Sequence, residues 1–230
     1  MGSTPELVQR LDLIERLCEG RSVLHLGCTN WPYTKEAIDD GSLLHFRLAE
    51  AASELYGFDF DEEGLETLRN AGVLDLYRAD LEALDEVDLD RRFDVIVAGE
   101  MIEHLTNPGL FLRGIKRFMD RDSRLVITTV NAYCGMRFVQ YALRGRGGVA
   151  EPVHPDHVAY YSYRTLRLAV EKEGFEVDDF YFYDLGREHR PHNRKVYNLV
   201  NDVLVAISKQ LSDGVIAVCR TAEDPAGSDV

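Results

Sequence analysis

Positive charge, paired cysteines and long apolar runs are what this 230-residue sequence is short of. Lys and Arg number 26 against 40 Asp and Glu, a formal net charge of −14. That balance argues against nucleic acid as a general partner, because affinity for a phosphate backbone comes mainly from Lys and Arg. The four cysteines, Cys18, Cys28, Cys134 and Cys219, form no CxxC pair, which argues against a structural zinc knot and points to reduced thiols in a cytoplasmic protein. No stretch approaches the roughly 18 apolar residues of a membrane span, and no apolar run follows a basic start, so neither insertion nor export is expected. A GxGxxG turn is absent too, and with it the main signature of a nicotinamide-dependent Rossmann enzyme.

What is present fits one domain with a full core: apolar residues make up 45% of the chain, and domains commonly run to roughly 250 residues. Charge is uneven along it. Residues 1–130 hold 14 Lys and Arg against 26 Asp and Glu, whereas residues 131–220 hold 12 against 11. The second part is therefore the better side for an anionic substrate.

Leu7, Leu11, Ile14 and Leu17 fall at helical spacing and predict one helix over Pro5 to Glu19. Short apolar strands are expected at Ser22 to Gly27, Leu55 to Asp59, Asp75 to Ala79, Phe93 to Ala98 and Arg124 to Val130. Between them lie helical segments at Leu43 to Ala52 and Glu62 to Asn70, and from the Asn107-Pro108 start to about Met119. Alternation of this kind predicts an α/β fold, a doubly wound and mainly parallel sheet. Residues 131–163 break the alternation and read as a lid or substrate-binding insertion. Beyond them come a helix from Tyr163 to Gly174, a strand from Phe175 to Asp184, a helix from Val196 to Leu211 and a last strand from Val215 to Cys219. Residues 1–220 thus form the single domain, and 221–230 a disordered tail.

The densest chemistry lies after the fourth strand, where Phe93-Asp94-Val95-Ile96-Val97-Ala98 leads into Gly99-Glu100-Met101-Ile102-Glu103-His104-Leu105. Ligands gather at strand C-termini in open α/β sheets, so two carboxylates and an imidazole there are candidates for chemistry. If residues 101–105 make one helical turn, Glu100, Glu103 and His104 face the same way. The bland alternative is that the acids complement a helix N-terminus beside a satisfied histidine.

This organisation resembles the class I S-adenosylmethionine-dependent methyltransferase family over about residues 20–220. The resemblance implies a Rossmann-like seven-stranded sheet, six strands parallel and one antiparallel. The family's first turn, VLDLGCGxG, aligns with Val23-Leu24-His25-Leu26-Gly27-Cys28-Thr29-Asn30-Trp31. Gly27 is retained, while His25 replaces the usual carboxylate. By the same resemblance Asp59 grips the cofactor's ribose hydroxyls with Phe60 beside the adenine, and Asp80 and Leu81 follow the third strand. Glu100 and Met101 line the adenosine and methionine side, and Gly27, Cys28 and Thr29 form the turn beneath. The Glu-x-x-Glu-His turn resembles small-molecule O-methyltransferases of the ubiquinone pathway. With His157 of His154-Pro155-Asp156-His157, it is also similar to the metal site of small-RNA terminal 2′-O-methyltransferases.

The expectation is therefore an S-adenosylmethionine-dependent O-methyltransferase of a small-molecule or sugar hydroxyl. Glu103, His104 and His157 are its candidate catalytic residues. Glu100, Glu103, His104 and His157 are the candidate ligands of a divalent ion (Mg²⁺, Mn²⁺, Fe²⁺ or Zn²⁺). A metal-free enzyme with a histidine base, terminal methylation of RNA, and a cofactor-binding module without catalysis stand as alternatives.

Overall fold

Val95, Ile96, Val97 and Ala98 are all buried, because a central parallel strand is covered on both faces and so reads as a continuous apolar run. They lie in a computed structural model that describes residues 5–144, 156–184, 186–187 and 190–222. In chain order the elements are β1 (Glu6–Val8), α1 (Arg10–Cys18), β2 (Ser22–Leu26), α2 (Thr34–Asp39), α3 (Leu44–Ala51), β3 (Glu54–Asp59), α4 (Glu62–Asn70) and β4 (Leu76–Arg78). There follow β5 (Phe93–Gly99), α5 (Pro108–Gly114), β6 (Met119–Val130), α6 (Gly135–Arg144), α7 (Tyr163–Lys172), β7 (Phe175–Tyr183), α8 (Lys195–Ile207) and β8 (Gly214–Thr221).

The strands form one sheet in the order β1-β7-β8-β6-β5-β2-β3-β4. β8 runs antiparallel to both β6 and β7, and every other pairing is parallel. Alternate residues feed the two faces: Ile96 and Ala98 of β5 join one apolar cluster, Val95 and Val97 the other. Each fully buried aliphatic side chain of this kind is worth about 1.5–3 kcal/mol. Strand order reverses between β2 and β5, so a crevice opens beyond their C-terminal ends, where doubly wound sheets bind ligands.

The sheet has eight strands among the described residues, one more than expected. Glu6–Val8 is not the start of the first helix; it pairs in parallel with β7, Val8 opposite Tyr183, and the helix is confined to Arg10–Cys18. Three residues are too few for periodicity to reveal a strand, and Leu7 also fitted the helical spacing. β6 starts at Met119, five residues before the predicted Arg124, because the charged stretch Asp120-Arg121-Asp122 is an exposed strand end instead of a loop. Thr221 closes β8, and the amide of Ala222 donates to the carbonyl of Gly174 at 3.0 Å, so residues 221 and 222, expected in a tail, belong to the fold; residues 223–230 lie outside the described residues. The 131–163 segment contains α6 and is tied at its base, where Asn131 bridges Tyr161. Its residues 145–155, His154 included, lie outside the described residues. No helix among the described residues is long and apolar enough to cross a membrane.

Candidate functional site

The crevice begins with a turn at the end of β2. Gly27 takes φ +70°, a left-handed conformation that L side chains resist, and the amides of Gly27 and Cys28 donate to the carbonyl of Phe58 at 2.8 and 3.2 Å. Asp59, at the end of β3, then ties the turn down. Its Oδ2 accepts from the Thr29 amide and the Thr29 hydroxyl, each at 2.9 Å, and its Oδ1 from the Asp61 amide at 3.0 Å. A carboxylate has about four acceptor sites, so this scaffold role leaves capacity for a ligand hydroxyl. Phe60 is exposed, with the Arg78 guanidinium 4.8 Å from its ring centre. Asp80, also exposed, accepts from the Glu82 amide at 2.8 Å, and Leu81 beside it is half-buried. Met101 is buried under Gly27: a side-chain carbon added at Gly27 would lie 3.8 Å from the Met101 Cβ.

Between the tips of β2 and β5 lies a cavity of about 320 Å³ whose wall includes Arg10, His25, Gly27, Thr29, Gly99 and Glu100. His25 is 2% exposed, and its Nδ1 lies 3.2 Å from Nδ1 of His45, one nitrogen donating and the other accepting. Burial lowers the pKa of His25 well below the ordinary value, helped by His45 and Arg10, and burial alone lowers His45 to about 4. Both rings are neutral at neutral pH.

Glu100 is left-handed as well, at φ +54°. Its amide donates to the Thr128 carbonyl at 3.0 Å. Its Oε1 accepts from the Tyr183 hydroxyl and, at 3.3 Å, from the Thr128 hydroxyl, with Arg10 Nη1 3.8 Å away. The chain then makes a 3₁₀ turn over Ile102–His104, which separates the second acid from the first. Glu103 is fully buried; its Oε2 accepts from the Thr129 hydroxyl at 2.8 Å, and its Oε1 has no hydrogen-bond partner among the described residues. Burial first, and the Glu100 charge second, raise its pKa to about 8.

The backbone of the same residue recruits the remote histidine. The carbonyl of Glu103 accepts from the amides of Val158 and Ala159 at 2.9 and 3.2 Å, which sets His157 against His104 with 4.7 Å between ring centres. One ligating atom each from Glu103, His104 and His157 lie within 4.8 Å of one another. Three of the four expected metal ligands thus come together, and Glu100 stands outside the group. The expectation that Glu100 shares a helical face with Glu103 and His104 fails because residue 100 leaves β5 in a left-handed conformation and the 3₁₀ turn starts after it.

Sequence reasoning missed Arg10, His45, Thr129 and Tyr183 as members of the site. Arg10 and Tyr183 gave no local signal: Tyr183 meets Glu100 through the register of β7 on β8, and Arg10 follows β1, which pairs with β7. Arg190 is tied to Asp184 and Asp202 at 3.1 and 2.7 Å.

A family profile described as "Methyltransferase domain" matches residues 6–179. The chain is 24% identical over 197 residues to the ubiquinone biosynthesis O-methyltransferase of Pseudomonas aeruginosa (strain LESB58), covering 80% of this chain and 75% of that protein. It is 27% identical over 198 residues, with the same two coverages, to the protein of that name from Pseudomonas entomophila. Among solved structures it is similar to a SAM-dependent methyltransferase from Archaeoglobus fulgidus (TM-score 0.57, 17% identity, 92% of this chain and 94% of that one). It is likewise similar to the magnesium protoporphyrin IX methyltransferase of Synechocystis PCC 6803 with bound S-adenosylhomocysteine (TM-score 0.58, 13% identity, 92% and 82%).

Proposed function

The chain belongs to this S-adenosylmethionine-dependent methyltransferase family, and we propose that its acceptor is a hydroxyl of a small molecule or sugar, activated at Glu103, His104 and His157 with the help of a divalent ion. The observation that carries this reading is the convergence of those three side chains around a buried carboxylate whose Oε1 no described residue satisfies. A buried, unpaired carboxylate oxygen is costly unless something cationic or a donor meets it. One carboxylate and two imidazoles suit a first-row divalent metal, so the residues fit the group. The ubiquinone-pathway relatives carry O-methyltransferase in their names, which supports oxygen as the atom methylated.

A bound divalent ion supplies Lewis acidity, lowering the pKa of a coordinated hydroxyl. The chain's own residues do the rest. Glu103 is held in place by the Thr129 hydroxyl; with the exposed His104 and the half-buried His157 it would hold the ion and so orient the acceptor, and in the metal-free alternative a histidine ring would receive the acceptor's proton as the new bond forms. Gly27, Cys28, Thr29, Asp59, Phe60, Asp80, Leu81 and Met101 are the residues on the cofactor side in this reading. The chain's acidic balance disfavours a long polyanion such as RNA. A cytoplasmic setting fits four free, buried cysteines.

The experiment is methyl transfer to a panel of catechols, phenols and glycosides, run before and after thorough chelation. Activity lost on chelation and restored by Mn²⁺, Fe²⁺ or Zn²⁺ supports the reading. Full activity in metal-free protein leaves a histidine as the sole base, and failure to bind S-adenosylmethionine or S-adenosylhomocysteine sinks the enzyme reading itself.

A further inference from the structure

We propose that Glu100 is the anionic partner of the cofactor's α-ammonium group, and that Tyr183 is the positioning residue that holds it there. This rests on S-adenosylmethionine being the cofactor and adds to it the subsite for its amino-acid end. The cofactor carries an ammonium, a carboxylate and a sulfonium, so a site for that end needs one anion and one cation at short range. The cavity between β2 and β5 has three ionisable groups in its wall: Arg10, His25 and Glu100. His25 offers no charge, since its ring is buried and its Nδ1 is taken up by His45. A single lone pair on a neutral imidazole cannot replace a carboxylate toward an ammonium with three donors. The anion of this wall is therefore Glu100, just past the end of the strand next to β2, with Leu26 opposite Ala98 in the register.

The way Glu100 is held argues that it is aimed. Residue 100 accepts a left-handed backbone, which costs a non-glycine residue about 1–2 kcal/mol, and three groups fix it. The Tyr183 and Thr128 hydroxyls both donate to Oε1, and the residue's own amide donates to Thr128. Its Oε2 takes no hydrogen bond from the described residues, and the side chain keeps 34% of its surface open. One oxygen is used as a handle and the other is left for a donor.

Tyr183 is suited to be that handle. It is 5% exposed, and its ring packs where a side-chain carbon on Gly214 would sit, so the phenol cannot swing away. Its oxygen also lies 3.3 Å from the Thr129 carbonyl. Arg10 stands 3.8 Å from the same Oε1 and 5.7 Å from the centre of the Tyr183 ring. It is the cation of the wall, suited to the cofactor's carboxylate.

Calorimetric titration with two ligands tests this: S-adenosylhomocysteine, and 5′-methylthioadenosine, which lacks the amino-acid end. Glu100→Gln should weaken S-adenosylhomocysteine about 10- to 100-fold, the range of a lost charge-assisted hydrogen bond. It should leave methylthioadenosine within about twofold. Tyr183→Phe should show the same selectivity at about three- to tenfold, a pattern that mere loss of stability would not produce. Equal weakening of both ligands by Glu100→Gln, or no weakening of either, overturns the proposal while wild-type binding leaves the cofactor assignment standing. If the wild type binds neither ligand, the cofactor reading fails and this inference with it.

Discussion

The rings of His104 and His157 meet edge to face, 4.7 Å between centroids and 87° between planes. The contact is a consequence of backbone pairing: the Glu103 carbonyl accepts two amides from Val158 and Ala159, so the segment holding one histidine is stitched to the turn holding the other. Removing a ring therefore removes a proposed ligand without removing the stitch. In titrations of chelated protein with Mn²⁺ or Zn²⁺, His157→Ala should cost more than the roughly 10- to 100-fold expected when a supporting hydrogen bond to a ligand is lost. Thr129→Val, which takes away the hydroxyl on Glu103 Oε2, should fall inside that range. Unaltered metal affinity in His157→Ala would remove His157 from the ligand set.

Glu103 makes the metal-free protein sensitive to base. Its carboxyl is held at about 8 against an ordinary 4.5, with burial the larger cause, so between those values the folded chain keeps a proton that the unfolded chain has released. The contribution of this carboxyl is then full below about pH 4.5 and falls as pH rises toward 8, by at most about 1.4 kcal/mol per unit. Urea unfolding of chelated protein should show this decline between pH 6.5 and 8, above the range in which the buried histidines His25 and His45 act, and Glu103→Gln should flatten it. Saturating divalent ion should flatten it as well, because a coordinated carboxylate needs no proton. Equal slopes for wild type and Glu103→Gln between pH 6.5 and 8 without metal would contradict the burial argument.

Why some of this was readable and some not follows from how each part is encoded. β2 and β5 announce themselves as apolar runs because both faces are buried, and each ends in a turn whose polar residues stand out from the run. Helix Glu62–Asn70 carries its own stop in Ala71-Gly72, and its observed bounds coincide with the predicted ones. The pair formed by Asp59 and the Gly27 turn was placed by resemblance to a pattern of strand tips. Glu100 went astray because helical spacing was assumed across a residue whose left-handed backbone breaks it, and nothing in the local string marks a non-glycine residue for φ +54°. Tyr183 looked like one aromatic among several in β7, and Arg10 like the polar side of a helix. Arg10 is placed when β1 joins the far edge of β7, a pairing of three residues with no periodic signature, and Tyr183 by the register of β7 on β8. His45 sat in a Leu-rich helix and becomes significant only through its 3.2 Å contact with His25.

That histidine pair should make the fold sensitive to acid. Burial, with help from His45 and Arg10, lowers His25, and burial brings His45 to about 4 from an ordinary 6.5. The unfolded chain therefore takes up protons first as pH falls below about 6.5, and the stability contributed by the neutral rings is lost progressively from there to about pH 4. In Glu103→Gln protein, free of the opposing carboxyl, thermal midpoints should fall between pH 7 and pH 5. His45→Gln should lessen the slope, because one of the two titrating rings is gone. A slope as steep as that of the protein with both histidines would mean that the buried pair does not titrate in this window.

Gly214 and Gly20 make a matched contrast for the packing of Tyr183. At Gly214 a Cβ would collide with the Tyr183 ring, whereas at Gly20, φ +67°, it would meet nothing within 4 Å. Alanine at Gly20 therefore costs only left-handed strain, about 1–2 kcal/mol, with no reason to disturb a ligand. Alanine at Gly214 must push a buried tyrosine ring off its seat; overpacking of this kind typically costs 1–3 kcal/mol and sometimes more. It also drags the phenol away from the Glu100 carboxylate. Gly214→Ala should thus combine a lowered unfolding midpoint with S-adenosylhomocysteine binding that is weakened more than methylthioadenosine binding, while Gly20→Ala shows the first effect alone. Loss of stability in Gly214→Ala with unchanged selectivity between the two ligands would show that the ring can move without taking Glu100 with it.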